Sequence, residues 1–172
     1  MLILNQFLES IRNSLNEESP YAALALALTL PDICSNLEVS NNAQTKEPYC
    51  NFFNKYLSSY FNGSGAVFLK AEDLYALRCA FLHSGRGDIE TKSVREFINK
   101  FTLINFTHRG YAVHNNKIIN TAPSGDIVKK LQLDVNILST QMIEAVAKWQ
   151  QNNQNYQDDK LMKIQSSGNL IF

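Results

Sequence analysis

The stretch Asp73-Leu-Tyr-Ala-Leu-Arg-Cys-Ala-Phe-Leu-His-Ser-Gly-Arg-Gly87 predicts an apolar helix that stops at a glycine-rich turn. Its apolar residues recur at helical spacing, so we expect a helix over about residues 70–83 with one face toward a core. Asp73 is predicted to cap the start of this helix, and Gly85 and Gly87 are predicted to end it. The apolar residues are Leu74, Leu77, Phe81 and Leu82.

Arg78 and His83 stand out because they are polar residues in an otherwise apolar helix. On an ideal helix they project about 140° apart, but the arginine is long and His83 lies in the last turn, so the two can converge. A guanidinium can bind two phosphate oxygens, and an imidazole can transfer protons near neutral pH. We therefore take this pair as the candidate functional centre, suited to phosphate chemistry.

Two helices are predicted before this stretch. Residues 3–16 form an amphipathic pattern, and residues 20–37 are apolar all round, which is typical of a central helix packed on several sides. Pro31 is expected to kink the second helix. Asp32 follows in an apolar setting, where a carboxylate needs a partner. Two interpretations stay open: Asp32 caps the helical piece after the kink, or it pairs with Arg78 or a backbone amide at the site.

The remaining segments predict a mostly α fold with a small inserted sheet. Residues 47–61 predict a third helix with an aromatic face, which is more typical of a core or dimer contact than of a base-stacking platform. Between about residues 100 and 135 we expect a small antiparallel β-sheet, with strands at 101–106, 111–114, 117–120 and 131–135. A last long helix is predicted over 136–153. The expected division is one helical domain, 1–155, and a flexible C-terminal tail, 156–172.

Composition narrows the class of protein. The net charge is zero, but residues 1–73 carry four basic and eight acidic residues, whereas residues 74–130 carry nine basic and four acidic. This asymmetry indicates either an anionic partner or an ordinary solvated surface. No signal peptide or membrane span is predicted, so we expect a cytoplasmic protein without a membrane partner. Three cysteines without ligand spacing are expected to be reduced core residues: Cys34, Cys50 and Cys79.

No sequence motif for phosphate loops, dinucleotides, catalytic zinc or a nucleophilic serine is found, and no metal or cofactor is expected. His108 and His114 are weaker candidates for a site, in the predicted β segment. The segment from Arg78 to His83 resembles the mark of the HEPN superfamily: an arginine followed four to six residues later by a histidine, near a helix end within a helical bundle. Leu30-Pro-Asp-Ile-Cys34 upstream is also similar to bacterial proteins with this type of helix.

This resemblance implies a HEPN-like helical bundle that forms a homodimer, with two arginine–histidine pairs lining one cleft. It also implies metal-independent RNA cleavage by attack of the 2′-hydroxyl, in a toxin or phage-defence system that has an antitoxin protein as a possible partner. Arg78 and His83 would be catalytic, and substrate binding is assigned to Asp32, Ser84 and Arg86. Active members often carry a polar residue where this chain has Cys79. The alternative is a non-catalytic module that binds a nucleotide, RNA or a protein.

Overall fold

The computed structural model describes residues 3–38, 46–63, 66–67, 69–89, 100–104, 130–157 and 161. The helices in these ranges are α1 (Ile3–Asn16), α2 (Pro20–Glu38), α3 (Lys46–Phe52), α4 (Ala71–Ser84) and α5 (Val135–Asn152). The strands are β1 (Asn62–Gly63), β2 (Ala66–Val67), β3 (Lys100–Ile104) and β4 (Lys130–Asp134). The prediction of a mostly helical fold with a small sheet is therefore confirmed at this level.

Helix α2 lies at the centre and contacts α1, α3, α4 and α5. This matches the expectation of a helix packed on several sides, because four other helices contact it. Pro31 is buried and the helix continues through it to Glu38. Asp32 therefore lies inside a continuous helix and does not cap a new one.

The third predicted helix is one rod of three helical types. Helix α3 continues as a π-helical turn over Phe53–Leu57 and as a 3₁₀ turn over Ser58–Tyr60. Most of its aromatic face is buried in the core, with Tyr60 half-buried. These rings pack on one another and on the core, and they present no open platform. The buried ones are Tyr49, Phe52, Phe53 and Tyr56.

Helix α4 begins earlier than the predicted cap required. Lys70 is the N-cap residue and forms no side-chain capping bond, while Asp73 lies in the first turn and is fully buried. The prediction that Asp73 caps the helix is wrong, because the helical hydrogen bonds already start at Lys70, whose carbonyl accepts from Leu74 N. Gly85 ends the helix with φ of 65°, the left-handed conformation that glycine adopts without strain.

Strands β3 and β4 pair in parallel, with Phe101 opposite Leu131 and Leu103 opposite Leu133. The prediction of an antiparallel sheet is wrong for this pair. Residues 105–129 separate the two strands, well beyond the roughly dozen residues that a parallel crossover needs. The other predicted strands, at 111–114 and 117–120, lie outside the described residues, as do His108 and His114.

Helix α5 closes the bundle and starts where β4 ends. Asp134 caps it, since its carboxylate accepts a hydrogen bond from Ile137 N at 3.0 Å. After the helix, Tyr156 packs its ring on Trp149, with centroids 4.9 Å apart, and Leu161 also lies against the core. These two residues lie within the predicted tail, 156–172, and both pack against the core. The other tail residues beyond 157 are not described.

Among the described residues, no helix is both long and apolar enough to cross a bilayer.

Candidate functional site

An ion pair between α2 and α4 forms the centre of the candidate site. Arg78 donates from Nε and from Nη2 to Asp32 Oδ2, both at 2.8 Å. Both side chains are about one-fifth exposed, so the pair sits at the edge of the core. The second interpretation of Asp32, as the partner of Arg78, is therefore confirmed as a contact. A single carboxylate oxygen holds the guanidinium along one edge and leaves Nη1 on the other side.

The pKa directions of the two groups follow from this position. Burial raises the pKa of Asp32, and the guanidinium of Arg78 opposes that rise without cancelling it. Burial is the largest single effect on Arg78 and acts to lower its pKa, but the Asp32 carboxylate and the thiol of Cys79 together outweigh it, so the net shift is upward. The geometry decides the protonation state, because two N–H donors converge on one oxygen of Asp32, which is the acceptor arrangement of a carboxylate.

Cys79 occupies the other side of the guanidinium. Arg78 Nη1 points to Cys79 Sγ at 3.9 Å, a weak sulfur contact. Cys79 is half-buried and not a core residue, unlike Cys34 and Cys50, which are buried as expected; all three are free thiols. The contact shows that the residue after the arginine still touches it, although sulfur is a much weaker acceptor than the oxygen of a polar side chain.

Two tyrosines interact electrostatically with both members of the ion pair. The rings of Tyr49 and Tyr75 meet edge to face, with centroids 5.3 Å apart. Burial raises the pKa of the Tyr49 hydroxyl, and the negative charge of Asp32 raises it further. Burial likewise raises the pKa of Tyr75, with added contributions from the thiol of Cys79. Both phenols are therefore neutral near the ion pair.

His83, Ser84 and Arg86 lie at the exposed end of α4. The His83 imidazole finds no hydrogen-bond partner within the described part of the chain, so nothing there fixes its tautomer. Ser84 donates its hydroxyl to Ala80 O at 2.8 Å, which commits that proton to the helix end. The structure thus brings Asp32 to Arg78. His83 and Ser84 lie in the last turn of α4, and Arg86 follows the helix.

The turn after α4 is fixed from two directions. Gly85 N donates to Phe81 O at 2.8 Å and Arg86 N donates to Ala80 O at 3.3 Å, which closes the helix end. Phe101 N then donates to Gly87 O at 2.7 Å, so the strand pair holds the far side of the turn. A Cβ added at Gly87 would lie 2.7 Å from Phe101 O. Glycine is required at position 87 by this close approach of two backbones. The helix itself ends at Gly85.

Two cavities lined by described residues lie beside α3, away from this centre. One is bordered by Lys46, Glu72 and Asn54, and the other by Glu38, Pro48 and Lys55. Arg78 and His83 line neither of them. In the ranges that the structure describes, no cluster of three or more histidine, cysteine or acidic side chains is arranged to hold a metal ion.

Tyr75 and Tyr49 were not predicted as neighbours of Arg78. Tyr75 precedes Arg78 by three residues, and side chains at that spacing are neighbours on a helix. The spacing alone could therefore have predicted that the two lie close together. Tyr49 comes from another helix, and no local pattern indicated that it would meet Asp32 and Arg78.

Comparisons with protein-family models, with curated protein sequences and with solved structures find no match to this chain. The interpretation of the site therefore depends on the geometry of its own residues.

Proposed function

We propose that this protein is a HEPN-like, metal-independent endoribonuclease that acts as a homodimer, with Arg78 and His83 as its catalytic residues. One observation carries the proposal. Arg78 is held along one edge by Asp32, is still about one-fifth exposed, and lies on the same helix as the exposed His83. A restrained cation and an exposed imidazole on one helix supply two of the groups that cleavage of a phosphodiester by an internal nucleophile requires.

The reaction follows from these groups. A base removes the proton of a ribose 2′-hydroxyl, and the 2′-oxygen attacks the neighbouring phosphorus. The bond from phosphorus to the 5′-oxygen breaks, and an acid supplies the proton that this oxygen takes. The products are a 2′,3′-cyclic phosphate and a 5′-hydroxyl. Arg78 stabilises the added charge on the phosphorane oxygens.

A second protomer would complete the acid–base pair. One His83 can serve as base or as acid in a given step, but not as both at once. Its imidazole has no partner within the described part of its own chain. In the proposed dimer, His83 of one chain takes the 2′-hydroxyl proton and His83 of the other protonates the leaving oxygen. The HEPN resemblance also favours a role in a toxin or phage-defence system, with an antitoxin as a protein partner.

The experiment is incubation of RNA with the purified protein in the presence of a chelator. Wild type is expected to leave 2′,3′-cyclic phosphate ends and to spare an oligonucleotide that is 2′-O-methylated throughout. His83→Ala is expected to lower the rate by roughly 10²–10⁴-fold, the usual contribution of a positioned acid or base. His108→Ala and His114→Ala test the two weaker histidine candidates in parallel, and both variants are expected to retain activity. Equal cleavage by wild type and His83→Ala would sink the proposal.

A binding module without catalysis is the second candidate, and the contacts of Cys79 and Ser84 favour it. The thiol of Cys79 is a weak orienting group for Arg78, and the Ser84 hydroxyl is engaged with Ala80 O. This candidate predicts RNA binding that weakens with added salt and with Arg78→Ala, and no product in the chelator experiment. A wild-type protein that binds RNA and leaves it intact would select this second function.

A further inference from the structure

Tyr21, in the first turn of α2, is the one large hydrophobic side chain that is exposed among the described residues, at 77%. Its ring lies parallel to that of Phe81, with an interplanar angle of 4° and centroids 6.4 Å apart. Phe81 is half-buried and packs against the core. One side of the Tyr21 ring is therefore supported by a fixed aromatic neighbour, while the rest of the ring is open to solvent.

Phe81 connects this aromatic pair to the helix that carries the candidate site. Phe81 lies three residues after Arg78 on α4, and side chains at that spacing are neighbours on one face of a helix. Ser84 follows Phe81 at the same spacing. The backbone N–H of Gly85 donates to Phe81 O, and that of Arg86 donates to Ala80 O. The Tyr21 ring thus lies against Phe81, about one helical turn along α4 from Arg78.

The charges on the two sides of Tyr21 differ. Glu17 and Glu18 are exposed in the turn that precedes α2. On the α4 side, Arg78 is partly exposed and Arg86 is exposed. A ligand that combines a neutral planar group with a phosphate would place the planar group on Tyr21 and its phosphate toward α4, away from the two glutamates.

We infer that Tyr21, supported by Phe81, is a stacking platform for an unpaired nucleobase of single-stranded RNA. The inference rests on the proposed function for the identity of the ligand and adds a preference for unpaired bases next to the bound phosphate. An aromatic ring open on one face gives a base an area to stack on, and such stacking tolerates any base. The buried aromatic face of α3 has no open ring and does not serve this purpose.

The test uses a short single-stranded RNA that is 2′-O-methylated throughout, so that it is not cleaved, with one 2-aminopurine. Binding to wild type should quench the 2-aminopurine emission. Tyr21→Ala should lose the quench and bind roughly tenfold more weakly, in the range reported by alanine substitution of stacking residues. Tyr21→Trp should retain both. Tyr60→Ala is the matched control, because the Tyr60 hydroxyl is already bonded to Glu144 and Lys148.

A second oligonucleotide, abasic at the 2-aminopurine position, separates stacking from backbone binding. Wild type and Tyr21→Ala should bind this abasic RNA equally. The inference is overturned if Tyr21→Ala matches wild type on the base-containing RNA, or if it weakens both RNAs equally. It is also overturned if Tyr21→Ala changes the molar mass in light scattering without changing RNA affinity, since Tyr21 would then be a protein contact. Failure of wild type to bind or cleave any RNA would instead remove the proposed function.

Discussion

Helix α2 carries two carboxylates that link it to other helices in the same geometry but with different partners. Asp32 Oδ2 accepts two hydrogen bonds from Arg78 of α4, and Glu38 Oε1 accepts one from Trp149 Nε1 at 2.7 Å and one from Asn153 Nδ2 at 3.0 Å. In each link a single oxygen receives two donors. The donors of Asp32 belong to a partly exposed cation, whereas those of Glu38 are neutral and one belongs to a fully buried ring.

This difference separates a structural link from a candidate functional one. The Glu38 link satisfies the indole N–H of a buried tryptophan, which would otherwise cost free energy without its partner. The Asp32 link holds the charged guanidinium of Arg78 in place and leaves part of that side chain exposed to solvent. We expect the first link to govern stability and the second to govern chemistry.

The largest expected effect is that of Trp149→Ala. Removal of a fully buried tryptophan should lower the free energy of unfolding by about 3–5 kcal/mol. Arg78→Ala should cost about 1–3 kcal/mol, because the Asp32 it leaves behind is partly solvated. Urea unfolding measures both. Cleavage of RNA, assayed where both variants are folded, should show the reverse order. An Arg78→Ala variant as unstable as Trp149→Ala would make the ion pair a structural link as well.

Amide substitutions in α2 sharpen the comparison with a smaller effect. Glu38→Gln keeps an oxygen acceptor for neutral donors, so the free energy of unfolding should change by less than about 1 kcal/mol. Asp32→Asn removes the charge that opposes Arg78. We expect tighter binding of uncleavable RNA and a turnover lower by roughly tenfold, since the guanidinium is held less firmly. The comparison breaks down if the two amide variants behave alike in RNA binding.

The smallest expected effect is on the pH dependence of stability. Burial raises the pKa of Asp32, so the folded protein takes up this proton more readily than the unfolded chain. Its contribution to the free energy of unfolding is therefore fully present below the unfolded pKa and is lost as pH rises through the folded pKa. The stability of wild type minus that of Asp32→Asn should be greater at pH 4 than at pH 7, by under about 1 kcal/mol. A difference of the opposite sign would mean that Arg78 dominates over burial.

The helices could be predicted from periodicity, because each buries a regular apolar face. The first two run over Ile3–Asn16 and Pro20–Glu38, close to the predicted 3–16 and 20–37. The pairing of Asp32 was also foreseeable as one of two alternatives, since a carboxylate in an apolar setting requires a partner.

The parts that could not be predicted depend on contacts between distant segments. Alternation of apolar and polar residues predicts a strand, but it does not predict whether β4 runs parallel or antiparallel to β3. The exposure of Tyr21 could not be predicted, because the helix that contains it is apolar all round and was expected to pack on several sides. The HEPN resemblance, the homodimer and the RNA substrate stay predictions.

The backbone contact at Gly87 has a consequence for the mutability of the turn. Any side chain at position 87 would bring a Cβ to 2.7 Å from Phe101 O, and only movement of the backbone could relieve it. At Gly85 a Cβ would meet nothing within 4 Å, so the sole obstacle is the left-handed conformation, which asparagine also adopts. Two glycines in the same turn therefore differ in what can replace them. Substitutions at position 85 can therefore change the turn beside His83. Substitutions at position 87 cannot be accommodated without changing the distance between this turn and strand β3.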